Sequence, residues 1–234
     1  MKAQYVLLPG LIGLGACVIH HESRGPVEYS SQTLEPDASE QVHVELHMGA
    51  GELRVTDSSQ KLLRADFTYN VPSWKPQVRY NTMGGKGHLV IRQPNTGETY
   101  IGDNKYQWDL QLGNKVPMNL EVHFGAGKAR LDLASLQLRG VEVNMGVGQL
   151  DMDLRGPVKH SYNVTIHGGV GQATVRLPAD AAIYAEAHGG IGAVNVHGLQ
   201  NHGGYWTSES WDRADNKIRV EVHGGIGEIR LIAD

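Results

Sequence analysis

The chain has 234 residues, among them 30 glycines, 2 phenylalanines and a single cysteine, with a formal net charge of −4. That length suits one domain, and the weakly acidic balance, with no basic stripe anywhere, excludes a nucleic-acid-binding surface. One cysteine excludes a disulfide framework, so the fold must be held by its own core.

In chain order, Met1–Cys17 carries a lysine, an apolar run and a small-residue end, the pattern of an export signal too short to span a bilayer. Leu14-Gly15-Ala16-Cys17 resembles the lipobox of bacterial lipoproteins. The expectation is a lipoprotein signal peptide over 1–16, lipid attachment at Cys17, and a flexible, polar tether over 17–40. With no Asp after the cysteine, similarity to the diderm sorting pattern favours the outer membrane if the source has one. A body over 41–234 follows.

That body is written in repeats. Gly-x-Gly recurs at Gly49/Gly51, Gly85/Gly87, Gly125/Gly127, Gly146/Gly148, Gly169/Gly171, Gly190/Gly192 and Gly225/Gly227. The shortest spacings, Gly125 to Gly146, Gly146 to Gly169 and Gly169 to Gly190, set a unit of about 21 to 23 residues, a solenoid period. Before each glycine pair the apolar residues alternate, as in Val141, Val143, Met145 and Val147; after it they resume on the other parity, as in Leu150, Met152 and Leu154. Alternation means a strand with one buried face. The parity flip means a corner, which only glycine makes without a steric penalty. The predicted fold is all-β: a parallel β-solenoid, a single-stranded right-handed β-helix or β-roll, with right-handedness taken from the rule for parallel crossovers.

The first rung is predicted over Val42–Val55, a further strand over Leu62–Asn70, and a rigid turn over Val71–Pro76. Gly85-Lys86-Gly87 departs from the pattern, because Lys86 occupies what reads as an inward slot, so that rung is expected to be distorted. Gln93–Asn104 reads as a polar loop and Lys105–Leu112 as another strand.

At this point the chain resembles a known family. Trp74-Lys75-Pro76, the Gln107–Leu112 run, Val116-Pro117 and the Gly125–Leu133 run look like the bacterial toast-rack group, LiaF-like cell-envelope proteins and adhesins. The resemblance spans most of Gln41–Leu231 and implies a β-helix or β-roll at the cell envelope with no established catalytic activity.

Two outward positions before each corner repeat as Glu-x-His: Glu45/His47, Glu121/His123, Glu186/His188 and Glu221/His223, with Glu142/Asn144 and Thr165/His167 matching by half. Stacked rungs would turn them into columns about 4.8 Å apart. Imidazole and carboxylate suit divalent metals, so His167, His188, His223, Glu186 and Glu221 are candidate ligands, with His167 and His188 as the nearest pair; a solvated polar ladder is the alternative. Gly198–Asn216 interrupts the last rungs and holds Tyr205, Trp206 and Trp211, readable either as partner contacts at a sugar- or peptide-binding tip or as a cap folded over the solenoid. Grouped catalytic carboxylates, nucleophile elbows and phosphate loops are missing. No enzyme and no cofactor is therefore expected.

Together these features predict a non-catalytic, lipid-anchored, extracytoplasmic module of adhesin-like or structural kind, with an envelope protein or glycan as partner. The alternative is a metal-binding or pH-sensing module built on the Glu/His columns. A homodimer through the solenoid ends is a further expectation, with the C-terminal edge at Ile229–Ile232 as the exposed one.

Overall fold

The computed structural model describes residues 25–95 and 104–234; the predicted signal peptide, Cys17 and the start of the tether lie outside them. Thirteen strands form one sheet. They are β1 (Glu28–Leu34), β2 (Gln41–Ser59), β3 (Leu63–Tyr69), β4 (Gln77–Met83), β5 (Lys86–Arg92), β6 (Tyr106–Gly113), β7 (Met118–Asp132), β8 (Leu138–Asp153), β9 (Tyr162–Leu177), β10 (Ala182–His197), β11 (Gln200–Asn201), β12 (Trp206–Thr207) and β13 (Lys217–Ala233).

Six long strands make the body, in the spatial order β2-β7-β8-β9-β13-β10, all parallel. Each is a whole rung bent at its glycine pair. In β7, Leu120, Val122 and Phe124 are buried before the corner and Ala129 and Leu131 after it, with Leu133 buried just beyond the strand. The predicted parity flip is therefore observed, and both arms feed one hydrophobic core. Each Val, Leu or Ile fully buried there stabilises the fold by about 1.5–3 kcal/mol.

Stacking explains why two glycines recur. The second glycine of each corner has positive φ, between 126° and 144° from Gly51 to Gly227. It also lies against the same glycine of the neighbouring rung: a Cβ on Gly148 would stand 1.9 Å from the Gly127 carbonyl oxygen, and one on Gly227 1.7 Å from that of Gly171. The first glycines form a second column, where a Cβ on Gly146 would lie 2.4 Å from the Gly125 carbonyl oxygen. Backbone meets backbone along both columns, so no side chain can move aside.

Four expectations are corrected. Gly85 is no corner: Gly84 and Gly85 (φ 59° and 74°) close an antiparallel hairpin of β4 and β5, and β5 pairs with the first arm of β2. The residue between the paired glycines faces outward, not inward, because the bend begins at the first glycine; Val147 is 54 % exposed. The C-terminal strand is no edge. β13 inserts between β9 and β10, with Ile218 opposite Tyr162 on one side and Ile183 on the other. Part of the predicted tether is also structured, since β1 pairs antiparallel with β3 from Glu28 to Leu34.

At the N-terminal end β3 and β6 cover the core with aromatic residues. Trp108 lies edge-on to Phe67 and Tyr106 at 5.7 and 5.9 Å, and the Tyr106 hydroxyl donates to the Trp74 carbonyl at 2.8 Å. The Trp and Tyr residues around the family-like motifs are thus core residues of this end. The indole N–H of Trp108 is buried without an acceptor.

Candidate binding surfaces

The strand register fixes which outward side chains meet. Because β13 lies between β9 and β10, His223 stands between His188 and His167, with ring centroids 5.3 and 5.1 Å apart and planes within 17° and 11° of parallel. The expected neighbours His167 and His188 are not adjacent. Parallel rings about 5 Å apart aim their in-plane lone pairs along parallel lines, so this stack does not converge on one ion. Glu221 and Glu186 face each other across β13 and β10 in the next row. The Glu186 carboxylate accepts from the Tyr184 hydroxyl, which, with further help from His188 and Arg219 and against partial desolvation, holds its carboxyl below the usual value.

A second ladder lies on β5, β2 and β7. His47 and His123 stack at 4.6 Å, and Glu45 accepts from His88 at 2.7 Å and lies 3.2 Å from both His43 and His47. His43 and His88 escaped the sequence reading. The alternation His43-x-Glu45-x-His47 was a usable signal for the first; His88 becomes visible only once β5 pairs with β2.

The Gly198–Asn216 segment folds back on the sheet. β12 pairs antiparallel with Tyr184 and Ala185 of β10, Ser208 exchanges hydrogen bonds with the Ile183 backbone, and Ser210 donates to the Ala181 carbonyl at 2.8 Å. Tyr205 and Trp211 pack on the Tyr184 ring at 5.2 and 5.5 Å, while Lys217 stands over Trp211 and Arg219 over Tyr184. Trp206 is half-buried opposite Ala185. These aromatic faces are largely used within the protein, and the flap covers the start of the β10 edge. From Glu186 to His197 that edge carries no further strand among the described residues.

Two surfaces among the described residues bear on binding. One is a polar hollow on the arms after the corner, of about 620 Å³, lined by Glu52, Arg54, Asp109, Lys128, Arg130 and Asp151 among others. Its alternating charges balance, and no carboxylate pair stands apart from a cation there. The other is an aliphatic ridge along the outside of the corners. Val147, Val170, Ile226 and Ile191 are register partners on consecutive strands and are 43 % to 71 % exposed, forming a row about 14 Å long.

A mostly parallel sheet folded along a glycine spine defines a β-solenoid scaffold. The chain belongs to the toast-rack family: residues 23–176 match the family described as the N-terminal domain of toast_rack, DUF2154. Its fold is similar to that of a protein from Clostridium sporogenes named "putative cell adhesion protein", at 29% identity and a TM-score of 0.85, covering 89% of this chain and 100% of that one. A "putative adhesin" from Bacteroides fragilis matches at 9% identity and a TM-score of 0.31, covering 88% and 97%, too distant to bear on function. None of the curated proteins matches the chain. No helix among the described residues is long and apolar enough to cross a membrane.

Proposed function

We propose that the chain is a non-catalytic, adhesin-like binding module of the bacterial cell envelope, held on the extracytoplasmic side by a lipid on Cys17. The similarity to a protein named for cell adhesion supports the binding role and the surface location, and the lipobox-like Leu14–Cys17 supports the anchor. The observation that carries the reading is the ridge of Val147, Val170, Ile226 and Ile191. Exposed apolar residues in one contiguous row mark an interaction surface. The row lacks hydrogen-bonding side chains, which suits a protein partner over a glycan. Tyr205, Trp206 and Trp211 of the flap are the alternative contact.

The test is in-cell photocrosslinking from Val170, Glu186 and Trp206, with mass spectrometry of the adducts. One defined envelope protein captured from Val170 supports the reading. Adducts from Trp206 alone, or glycan adducts, would move the binding site to the flap. Metabolic labelling with a fatty acid, abolished by Cys17→Ser, is the expected result for the anchor; labelling that survives this change, or is absent from the wild type, overturns it.

A further inference from the structure

Among the described residues one group of three side chains brings its donor atoms within 4.8 Å of one another: His43, Glu45 and His88. We propose that these three side chains form a binding site for one divalent transition-metal ion of the zinc class. His43 and His88 face each other across the parallel β2–β5 pairing, and Glu45, two residues on, shares their face of the sheet. The His88 Nε2 lies 2.7 Å and the His43 Nε2 3.2 Å from the same Glu45 oxygen, Oε1. Ligands about 2.0–2.1 Å from a tetrahedral zinc ion are about 3.3 Å from each other. Both nitrogen–oxygen distances are within about 0.6 Å of that spacing and the three donors lie within 4.8 Å of one another, so side-chain rotations on this surface would open the centre.

Ring geometry separates this site from the C-terminal stack. The His43 and His88 planes are inclined by 29° with centroids 5.5 Å apart, and both rings turn a nitrogen to one oxygen. One supporting contact stands beside the three donors. His47 Nε2 lies 3.2 Å from the second oxygen of Glu45, which orients the carboxylate. Partners that orient a ligand in this way typically account for a 10–100-fold change in affinity. The site is half-buried, which leaves the fourth position to solvent.

Such an ion would join the β4–β5 hairpin to the body. Among the described residues β5 meets the rest of the sheet only along Gln41–His47 of β2, and the ion would bridge that seven-residue ladder near its middle.

The experiment titrates the full chain with zinc chloride by calorimetry and with cobalt(II) chloride by visible absorption. The expected result is one ion per chain and the d–d absorption of tetrahedral cobalt. Affinity falls at least about 100-fold in His88→Ala and in His43→Gln, falls by about 10-fold or more in His47→Ala, and is unchanged in His223→Ala. Zinc also raises the melting temperature of the wild type and leaves that of His88→Ala unmoved. These outward residues are not in the core, and His43→Gln serves should His88→Ala lower the melting point. Absence of saturable one-ion binding overturns the proposal, as does wild-type affinity in both variants or a loss in His223→Ala equal to that in His88→Ala.

Discussion

Replacing Gly148 by alanine tests the stacked corner in the middle of the body. The new Cβ would lie 1.9 Å from the Gly127 carbonyl oxygen, whereas carbon and oxygen approach comfortably only to about 3.3 Å. The strands β7 and β8 must then part by more than 1 Å at the corner, and the atom in the way is backbone. Positive φ at this position, 143°, adds about 1–2 kcal/mol for a residue with a Cβ. Two strained ladder hydrogen bonds add about 1 kcal/mol each, for a total of about 3–4 kcal/mol. At about 2–4 °C per kcal/mol for a chain of this size, the melting temperature should fall by about 10 °C. Two controls separate the causes. Gly203 has φ 75° with nothing within 4 Å of the added Cβ, and Gly168 has an ordinary φ with the nearest atom at 3.9 Å. Gly203→Ala should therefore cost about 1 kcal/mol and Gly168→Ala nothing. Thermal and urea melts of the three variants provide the comparison. If Gly148→Ala melts with Gly203→Ala, the close approach between rungs is not what demands glycine.

Three further outcomes follow from the packing and the electrostatics. Trp108→Phe removes an indole N–H buried without an acceptor, whose desolvation costs about 1–3 kcal/mol; this offsets the lost ring volume, so urea melts should place the variant within about 1 kcal/mol of wild type, against about 3–5 kcal/mol for Trp108→Ala. Asp37 accepts from Thr82 at 2.7 Å, the Ser39 backbone at 3.0 Å and Tyr80 at 2.9 Å, and these bonds, Thr82 first, hold its carboxyl well below the usual value. A depressed folded-state value means stability present above the ordinary carboxylate value of 3.8 and lost as pH falls through the folded one; Glu45, also depressed, acts from 4.5 downward. Hydrogen-exchange protection in β4 and β5, corrected for the intrinsic exchange rate, should fall below about pH 4.5, and Asp37→Asn should show a weaker acid response; an unchanged response would refute the role of Asp37. Deleting 217–234 should collapse β10, which would keep only the short β12 as a strand neighbour, and circular dichroism should show lost strand content with aggregation. A well-folded truncated chain would contradict the insertion of β13 between β9 and β10.

The rungs were legible because each records its own bend. Val141, Val143 and Met145 on one parity and Leu150, Met152 and Leu154 on the other are buried as the flip requires. What sequence alone could not supply was placement. The period says that rungs stack but not in which order, and β13, last in the chain, pairs with β9 and β10 through the same Val, Ile and Gly pattern that would serve any neighbour. The Gly85-Lys86-Gly87 spacing imitates a corner, yet Gly84 beside Gly85 supplies consecutive positive-φ residues, the requirement of a tight hairpin turn. β1 went unread because its Glu-Tyr-Ser-Ser-Gln-Thr-Leu run is nowhere fully buried and touches one neighbour only. The ridge was misread for a related reason: Val147 continues the apolar alternation of Val141 to Met145, and only the bend at Gly146 turns it outward. His43 and His88 come from strands whose pairing crosses a hairpin, so no local spacing joins them.

Crosslinking from Val170 in cells, compared between the wild type and an Ile191→Ser/Ile226→Ser variant, tests the binding role most directly. Both isoleucines are more than half exposed, so the variant should melt with the wild type. The account predicts one defined envelope-protein adduct in the wild type and its loss in the variant. An adduct that persists undiminished in the variant, or none in either, would contradict the ridge as the surface through which this protein binds.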